Sequence, residues 1–192
     1  MQLCFATNNA HKLSELRQLV GNSIQIKSLQ NIGCFADIPE TGNTLQANSL
    51  LKAVYVKGNY NFNCFADDTG LEVDALNGAP GVYSARYAGE PSNPENNMQL
   101  LLQNLKGEGN RAARFKTVIT LLLDGNAPLF FEGVCEGKIA SDKSGNEGFG
   151  YDPIFIPNGF SCTFAEMTAE EKNRISHRGK AVGKLVNYLK NL

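Results

Sequence analysis

The sequence predicts an α/β layer protein whose central sheet is mixed and flanked by helices. Over the first third, short apolar runs alternate with segments of helical period, giving strand, helix, strand, helix, strand and some parallel pairing. Farther on, two strand-like runs flank Asp124-Gly125-Asn126, the signature of an antiparallel hairpin. Neither an internal repeat nor a linker-like stretch interrupts the chain, so its 192 residues read as one domain over 1–192 or two small lobes sharing a core.

Each element has a local reason. "LCFA" (3–6) is an apolar run that ends at polar "TNN". In "AHKLSELRQLV" the residues Leu13, Leu16, Leu19 and Val20 recur at helical spacing, and Gly21 is the expected C-terminal stop. "IQIKSL" (24–29) alternates like a half-buried strand. "TLQANSLLKAVYVKG" (44–58) is a second helix with Thr44 as its N-cap, and "FNCFA" (62–66) is a strand that ends ahead of an acid pair. In "NPENNMQLLLQNLKG" (93–107) Asn93 caps, Pro94 opens the first turn, and Met98, Leu101, Leu102 and Leu105 form the stripe. The hairpin covers 113–140. "TAEEKNRIS" opens with a capping box, Thr168 with Glu171, and "RGKAVGKLVNYLKNL" closes the chain as a helix.

A net charge of −1 gives no whole-protein attraction to nucleic acid or to an anionic membrane, although no acid follows Glu171 and six basic residues do. No apolar window reaches the length of a membrane span, and "MQLCFATNN" lacks the pattern of a signal peptide. Five cysteines are scattered without a Cys-x-x-Cys, which suggests small buried hydrophobes in a reducing cytoplasm. With only His11 and His177, a Cys/His zinc site is not expected.

The chemistry concentrates in "NCFADDTGLEVD" (63–74). An apolar run drives into Asp67 and Asp68, and Gly70 follows where a backbone can approach something closely. Successive side chains on a strand point to opposite faces, so the two acids cannot share one apolar layer and at least one should face a cleft. A lone aspartate at a strand end usually caps a turn; two in succession favour function. Carboxylates gathered this way repel unless a cation lies between them, and hard oxygen ligands suit Mg²⁺. Two known motifs come near and fail. A haloacid-dehalogenase phosphatase needs Asp-x-Asp, whereas these aspartates adjoin. "DTG" (68–70) marks aspartic peptidases, which need two such loops, so one copy leaves only a symmetric dimer to supply the pair.

Other segments supply other groups. "TNNAHK" (Thr7, Asn8, Asn9, Ala10, His11, Lys12) joins a strand to a helix start, where backbone N–H groups and the dipole attract anions and Lys12 adds a point charge. "GKAVGK" (179–184) only imitates a P-loop, its spacer being short and helical. Lys52 lies on the second helix and Glu40 in "PETG" just ahead of it. In "GNEGFGYDP" (145–153), glycines on both sides of Phe149 leave its ring uncrowded, as a stacking platform needs; Asp152 follows, and Pro153 comes too early for a dinucleotide fingerprint. "KNRISHRG" (172–179) brings Lys172, His177 and Arg178 to a seam between helices, as donors for oxygen acceptors on a base. Taken singly, each also reads plainly as a turn, an exposed helical lysine or helix-end charge. Together they describe a nucleotide site.

In this order, "TNNAHK", "PETG", "LLKA", "ADDTGL", "GAPGVYSARYAG", "GFGYDP" and "ISHRG" resemble the inosine-triphosphate pyrophosphatase (Ham1-like) family over nearly the whole chain. The resemblance implies an elongated α/β fold of two lobes with a deep active-site cleft, usually a homodimer. It also implies Mg²⁺-dependent hydrolysis of non-standard purine triphosphates (ITP, dITP, XTP) to the monophosphate and pyrophosphate. By position, Thr7 to Lys12 resembles the phosphate-binding segment, Glu40 and Asp68 the metal carboxylates, and Asp68 also the general base. Thr69 and Lys52 would touch substrate, while Phe149, Gly150, Tyr151, Asp152, Lys172, His177 and Arg178 resemble the base-recognising set. Asn8 stands where many relatives have Gly, and Thr69 where many have Ser. Asn tolerates left-handed backbone angles and Thr keeps the hydroxyl. Asp67 would support Asp68 from behind. Whether Asp68 takes a proton or only holds the metal and positions water stays open on the residues alone. The rival readings are a Mg²⁺-indifferent peptidase built on Asp68-Thr69-Gly70 and a nucleotide sensor without turnover; intact carboxylates argue against the second.

Overall fold

The first third folds as strands and helices in alternation: β1 (Gln2–Phe5), α1 (Ala10–Val20), β2 (Gln25–Lys27), α2 (Leu45–Tyr60) and β3 (Cys64–Val73). This computed structural model describes residues 2–20 and 24–192, and Gly21 lies outside the described residues. β1 pairs in parallel with both β2 and β3, the geometry that crossover helices permit. There follow β4 (Pro80–Gly81), α3 (Pro94–Asn104), β5 (Ala112–Leu122), β6 (Leu129–Ile139), β7 (Phe155–Pro157), α4 (Ala169–Ile175) and α5 (His177–Lys190). One sheet runs β2-β1-β3-β5-β6-β7, with β4 antiparallel on β3 and β7 antiparallel on β6. The neighbours β5 and β6 are joined by 123–128, too short for a parallel crossover, so the hairpin is antiparallel and the sheet mixed. The α/β expectation holds.

The caps hold as well. Thr44 accepts from the Ala47 N–H, Asn93 accepts from the Asn96 N–H with Pro94 following, and Thr168 and Glu171 form the capping box. One boundary differs from expectation. The strand that should end ahead of the acids runs from Cys64 to Val73, so Asp67 and Asp68 sit inside it. Among the described residues no helix is long and apolar enough to cross a membrane.

The chain divides into two compact units. The first gathers the residues up to Asp68 with Thr117–Gly133 and Lys180–Leu192; the second gathers Thr69–Lys116 and Val134–Gly179. In the first, period-two alternation sorts side chains into two cores. Leu3, Phe5 and Phe65 pack with Leu16 and Val20 of α1 and with Ala181, Val182 and Leu185 of α5. Cys4, Ala6, Cys64 and Ala66 point the other way and pack with Ala53 and Val56 of α2. Phe5 and Phe65, partners in register, stack at 4.8 Å between centroids. Burying each ring stabilises the fold by roughly 1.5–3 kcal/mol. The second unit has its own core, in which Leu71 and Val73 of β3 meet Met98 and Leu101 of α3 and Leu105 just after it, together with Phe115, Phe155 and Phe164.

Candidate active site

The alternation along β3 continues through the acid pair. Phe65 faces α1, so Asp67 does too, and Lys12 on the first turn of α1 reaches Asp67 Oδ1 at 3.1 Å. Ala66 faces α2, so Asp68 does too, and Asn48 of α2 donates its Nδ2 to Asp68 Oδ2 at 3.0 Å. Both carboxylates are buried, Asp67 at 1% exposure and Asp68 at 6%, each satisfied on its own face of the sheet. Asn48 also turns back: its Oδ1 accepts the Gly42 N–H at 2.7 Å. One helical turn after Asn48, buried Lys52 donates to Glu40 Oε1 at 2.5 Å. Gly42 allows this close approach of loop and helix, because a Cβ there would lie 2.7 Å from Ala47 Cβ and 2.8 Å from Asn48 Oδ1.

Burial, the largest influence, pushes the Asp68 carboxyl above the ordinary aspartate range; Glu40 adds to the rise, while Lys52, Lys12 and the Asn48 hydrogen bond oppose it. Burial works against the Lys52 ammonium, but Asp67, Glu40 and Asp68 together outweigh it and hold its pKa above that of a free lysine. Among the described residues no three or more His, Cys, Asp or Glu gather as metal ligands. The available donors are the carboxylates of Asp68 and Glu40. Mg²⁺ fits such a pair, since it keeps several waters and takes one or two carboxylates plus substrate phosphates. The repulsion between Glu40 and Asp68 is also what a cation would relieve.

The segment 7–12 is ordered by its own side chains. Thr7 Oγ1 accepts the Asn9 N–H and Asn9 Oδ1 accepts the Lys12 N–H, both at 3.1 Å, so Asn9 caps α1. Asn8 Nδ2 donates to the Ala36 carbonyl at 3.3 Å, while Ala10 and His11 are exposed.

The second unit gathers a different group. Asp152 Oδ2 accepts from the Phe149 N–H at 2.8 Å and from Lys172 Nζ at 2.8 Å. Gly148, with φ +75°, makes room for it: a Cβ there would lie 2.1 Å from that same oxygen. The Phe149 ring is half-buried, with Lys172 Nζ 5.1 Å and Arg178 Cζ 5.4 Å from its centroid. Phe149 also lines a cavity of about 660 Å³ with Pro94, Met98, Lys143 and Pro153. Arg178 Nη2 donates to Thr69 Oγ1 at 3.3 Å. At the seam between α4 and α5, Ser176 Oγ accepts the Gly179 N–H at 3.0 Å; a Cβ on Gly179 would lie 1.9 Å from the Asn173 carbonyl oxygen.

A sequence profile of the Ham1 family matches residues 3–188. The chain belongs to the Ham1 family. It is 56% identical to a dITP/XTP pyrophosphatase of Christiangramia forsetii, covering 98% of this chain and 99% of that one. It is 54% identical to a dITP/XTP pyrophosphatase of Porphyromonas gingivalis, covering 98% and 97%. Among solved structures, a HAM1 protein from Coxiella burnetii superposes with a TM-score of 0.92 at 38% identity, covering the whole of both chains. The Ham1 protein of Staphylococcus aureus gives 0.91 at 37% identity, covering 100% of this chain and 99% of that one.

Against this Ham1 frame, the residues expected from the sequence fall into the two groups just described. Lys12 faces Asp67. Tyr151 is buried and its hydroxyl donates to the Ser84 carbonyl at 2.8 Å, so it props the loop from within. His177 is 3% exposed, its ring stacked 4.6 Å from Phe115. The Phe149 ring, expected to be uncrowded between its glycines, has the Lys172 and Arg178 cations beside it. Asp68-Thr69-Gly70 lies inside β3, not on the loop an aspartic peptidase would need. Asn48 was missed. Its signal was an asparagine four residues after the Thr44 cap, past the position where its side chain could cap the helix, and one turn ahead of Lys52.

Proposed function

We propose that this Ham1-family chain hydrolyses non-canonical purine nucleoside triphosphates, dITP, ITP and XTP, to the monophosphate and pyrophosphate. The observation that carries the reading is the buried Asp68 carboxylate. Burial and Glu40 raise it toward proton acceptance, Asn48 holds it, and Lys52 and Lys12 supply positive charge nearby. Relatives named for dITP and XTP pyrophosphatase activity at 56% and 54% identity support the substrate class.

Asp68 orients a water for attack on the α-phosphorus and takes its proton, and pyrophosphate leaves. Lys12 and Lys52 offset charge on the phosphate tail, with the 7–12 segment contributing helix-start N–H groups. Glu40 and Asp68 would hold Mg²⁺, which neutralises phosphate charge and polarises the reacting phosphoryl group. Phe149 offers a ring face to the purine. Lys172 and Arg178 present donors to its oxygen at position six, with Asp152 fixing Lys172 and His177 packing the seam that carries Arg178. The enzyme works as a homodimer in the cytoplasm, a reading supported by family resemblance and by five cysteines that are all free thiols.

Incubation with dITP and Mg²⁺ tests this. Equal amounts of dIMP and pyrophosphate are expected. Orthophosphate with dIDP as first product would overturn the reading in favour of a γ-phosphatase.

A further inference from the structure

We propose that Asn48 is a positioning residue: it aims the Asp68 carboxylate and locks it to the loop that carries Glu40. The inference deepens the proposed pyrophosphatase reading and rests on it for its kinetic arm only.

Asn48 is fully buried, at 0% exposure, as the fourth residue of α2. Its amide orientation is dictated by its neighbours. The Gly42 N–H can only donate and the Asp68 carboxylate can only accept, so Oδ1 must face the loop and Nδ2 the acid. The bond from Gly42 is short at 2.7 Å and the one to Asp68 is of ordinary length at 3.0 Å, and no other side chain of similar size supplies an acceptor and a donor in this geometry. Leu would leave the Gly42 N–H and the Asp68 oxygen without these partners, and Asp would set a second carboxylate against the first. Fixing Oδ2 fixes the plane of the Asp68 carboxyl and hence the direction of Oδ1.

The same amide closes a ring of contacts. Gly42 lies two residues after Glu40, Glu40 accepts from Lys52, and Lys52 stands one turn from Asn48 on the same helix face. The spacing between the two carboxylates is therefore set by α2, with the loop clamped at both ends. Asn48 touches neither water nor phosphate in this scheme. It acts through Asp68.

Two variants separate its two bonds. Asn48→Asp keeps an acceptor for Gly42 but loses the donor to Asp68; Asn48→Ala loses both. For Asn48→Asp, kcat on dITP should fall by about 10–100-fold, the usual cost of removing a group that orients a reacting or metal-holding ligand, with KM little changed. Its Gly42 amide should stay slow in hydrogen exchange, whereas in Asn48→Ala that amide should exchange fast. A kcat for folded Asn48→Asp within about two-fold of the unmodified protein would overturn the proposal, because removing one such bond is expected to cost at least tenfold. If neither variant folds, the unmodified protein decides. Its Asn48 side-chain amide resonances should shift markedly in Asp68→Asn, and its Gly42 amide should be protected. An unshifted Asn48 amide or an unprotected Gly42 would refute the contact itself, even in a protein that hydrolyses no dITP.

Discussion

Asp68 sits at 6% exposure with burial foremost in raising its pKa and Glu40 adding to the rise. A carboxyl whose folded pKa exceeds its unfolded value favours folding fully only below the unfolded value, near ~4 for aspartate. That contribution is lost as pH climbs through the raised folded value, so at neutral pH Asp68 opposes folding. Asp68→Asn, uncharged and of the same shape, should melt at a higher temperature than the unmodified protein at neutral pH in chelator-treated buffer, and the gap should close as pH falls to about 4. A gap that is absent at every pH would show that burial does not strain this carboxylate. The same variant should lose turnover by roughly 10²–10⁴, the range for losing a catalytic proton acceptor. Arg178 belongs to selectivity. Its guanidinium lies over Phe149 and can only donate, so it suits the six-oxygen of hypoxanthine or xanthine and opposes the amino group of adenine. Sites built on such bonds reject mismatches by up to ~10⁴. Arg178→Ala should therefore cut dITP turnover far more than dATP turnover, and an unchanged ratio would remove Arg178 from base reading.

Among the elements, the loop ending in Gly148-Phe149-Gly150 is held by one carboxylate oxygen. Asp152 Oδ2 takes both the Phe149 N–H and Lys172 Nζ, and Gly148 leaves space for it at a positive φ. Gly148→Ala forces a methyl into that oxygen and a side chain into a left-handed conformation. The expected loss is about 1–3 kcal/mol, read by chemical denaturation. Thr168→Ala removes the cap of α4 and should cost about 1 kcal/mol by the same measurement. Such caps were legible in the sequence because every partner lies within three residues: Thr44 with Ala47, Asn93 with Asn96, Thr168 with Glu171. The true length of β3 was not legible. An acid pair reads as a strand end, and partners 55 residues away (Lys12) and 20 residues away (Asn48) help make its burial tolerable. The cations at the Phe149 ring were not legible for the same reason. Flanking glycines signal local room, but the cations over its ring come from α4 and α5.

For the molecule as a whole, most thiols are sealed inside the cores. Cys4 and Cys64 are both pushed up to about 12, by burial first, and for Cys4 by the neighbouring thiols of Cys64 and Cys34 as well. Thiolate is the reactive form, and of the five cysteines only Cys162 is partly exposed. A thiol reagent applied to the native protein should label Cys162 well ahead of the other four. Equal labelling of Cys4 would reveal that the β1–β3 core opens readily. A last consequence follows from the strand in which Cys64 sits. Because its side chains alternate, removing or adding one residue between Phe65 and Asp67 would turn each acid to the opposite helix. Asp68 would meet Lys12, and Asp67 would meet Asn48. Point substitutions in this stretch change one side chain at a time, whereas a single-codon insertion or deletion exchanges the partners of both carboxylates at once. Drift in this gene can therefore alter the letters of β3 but not their number.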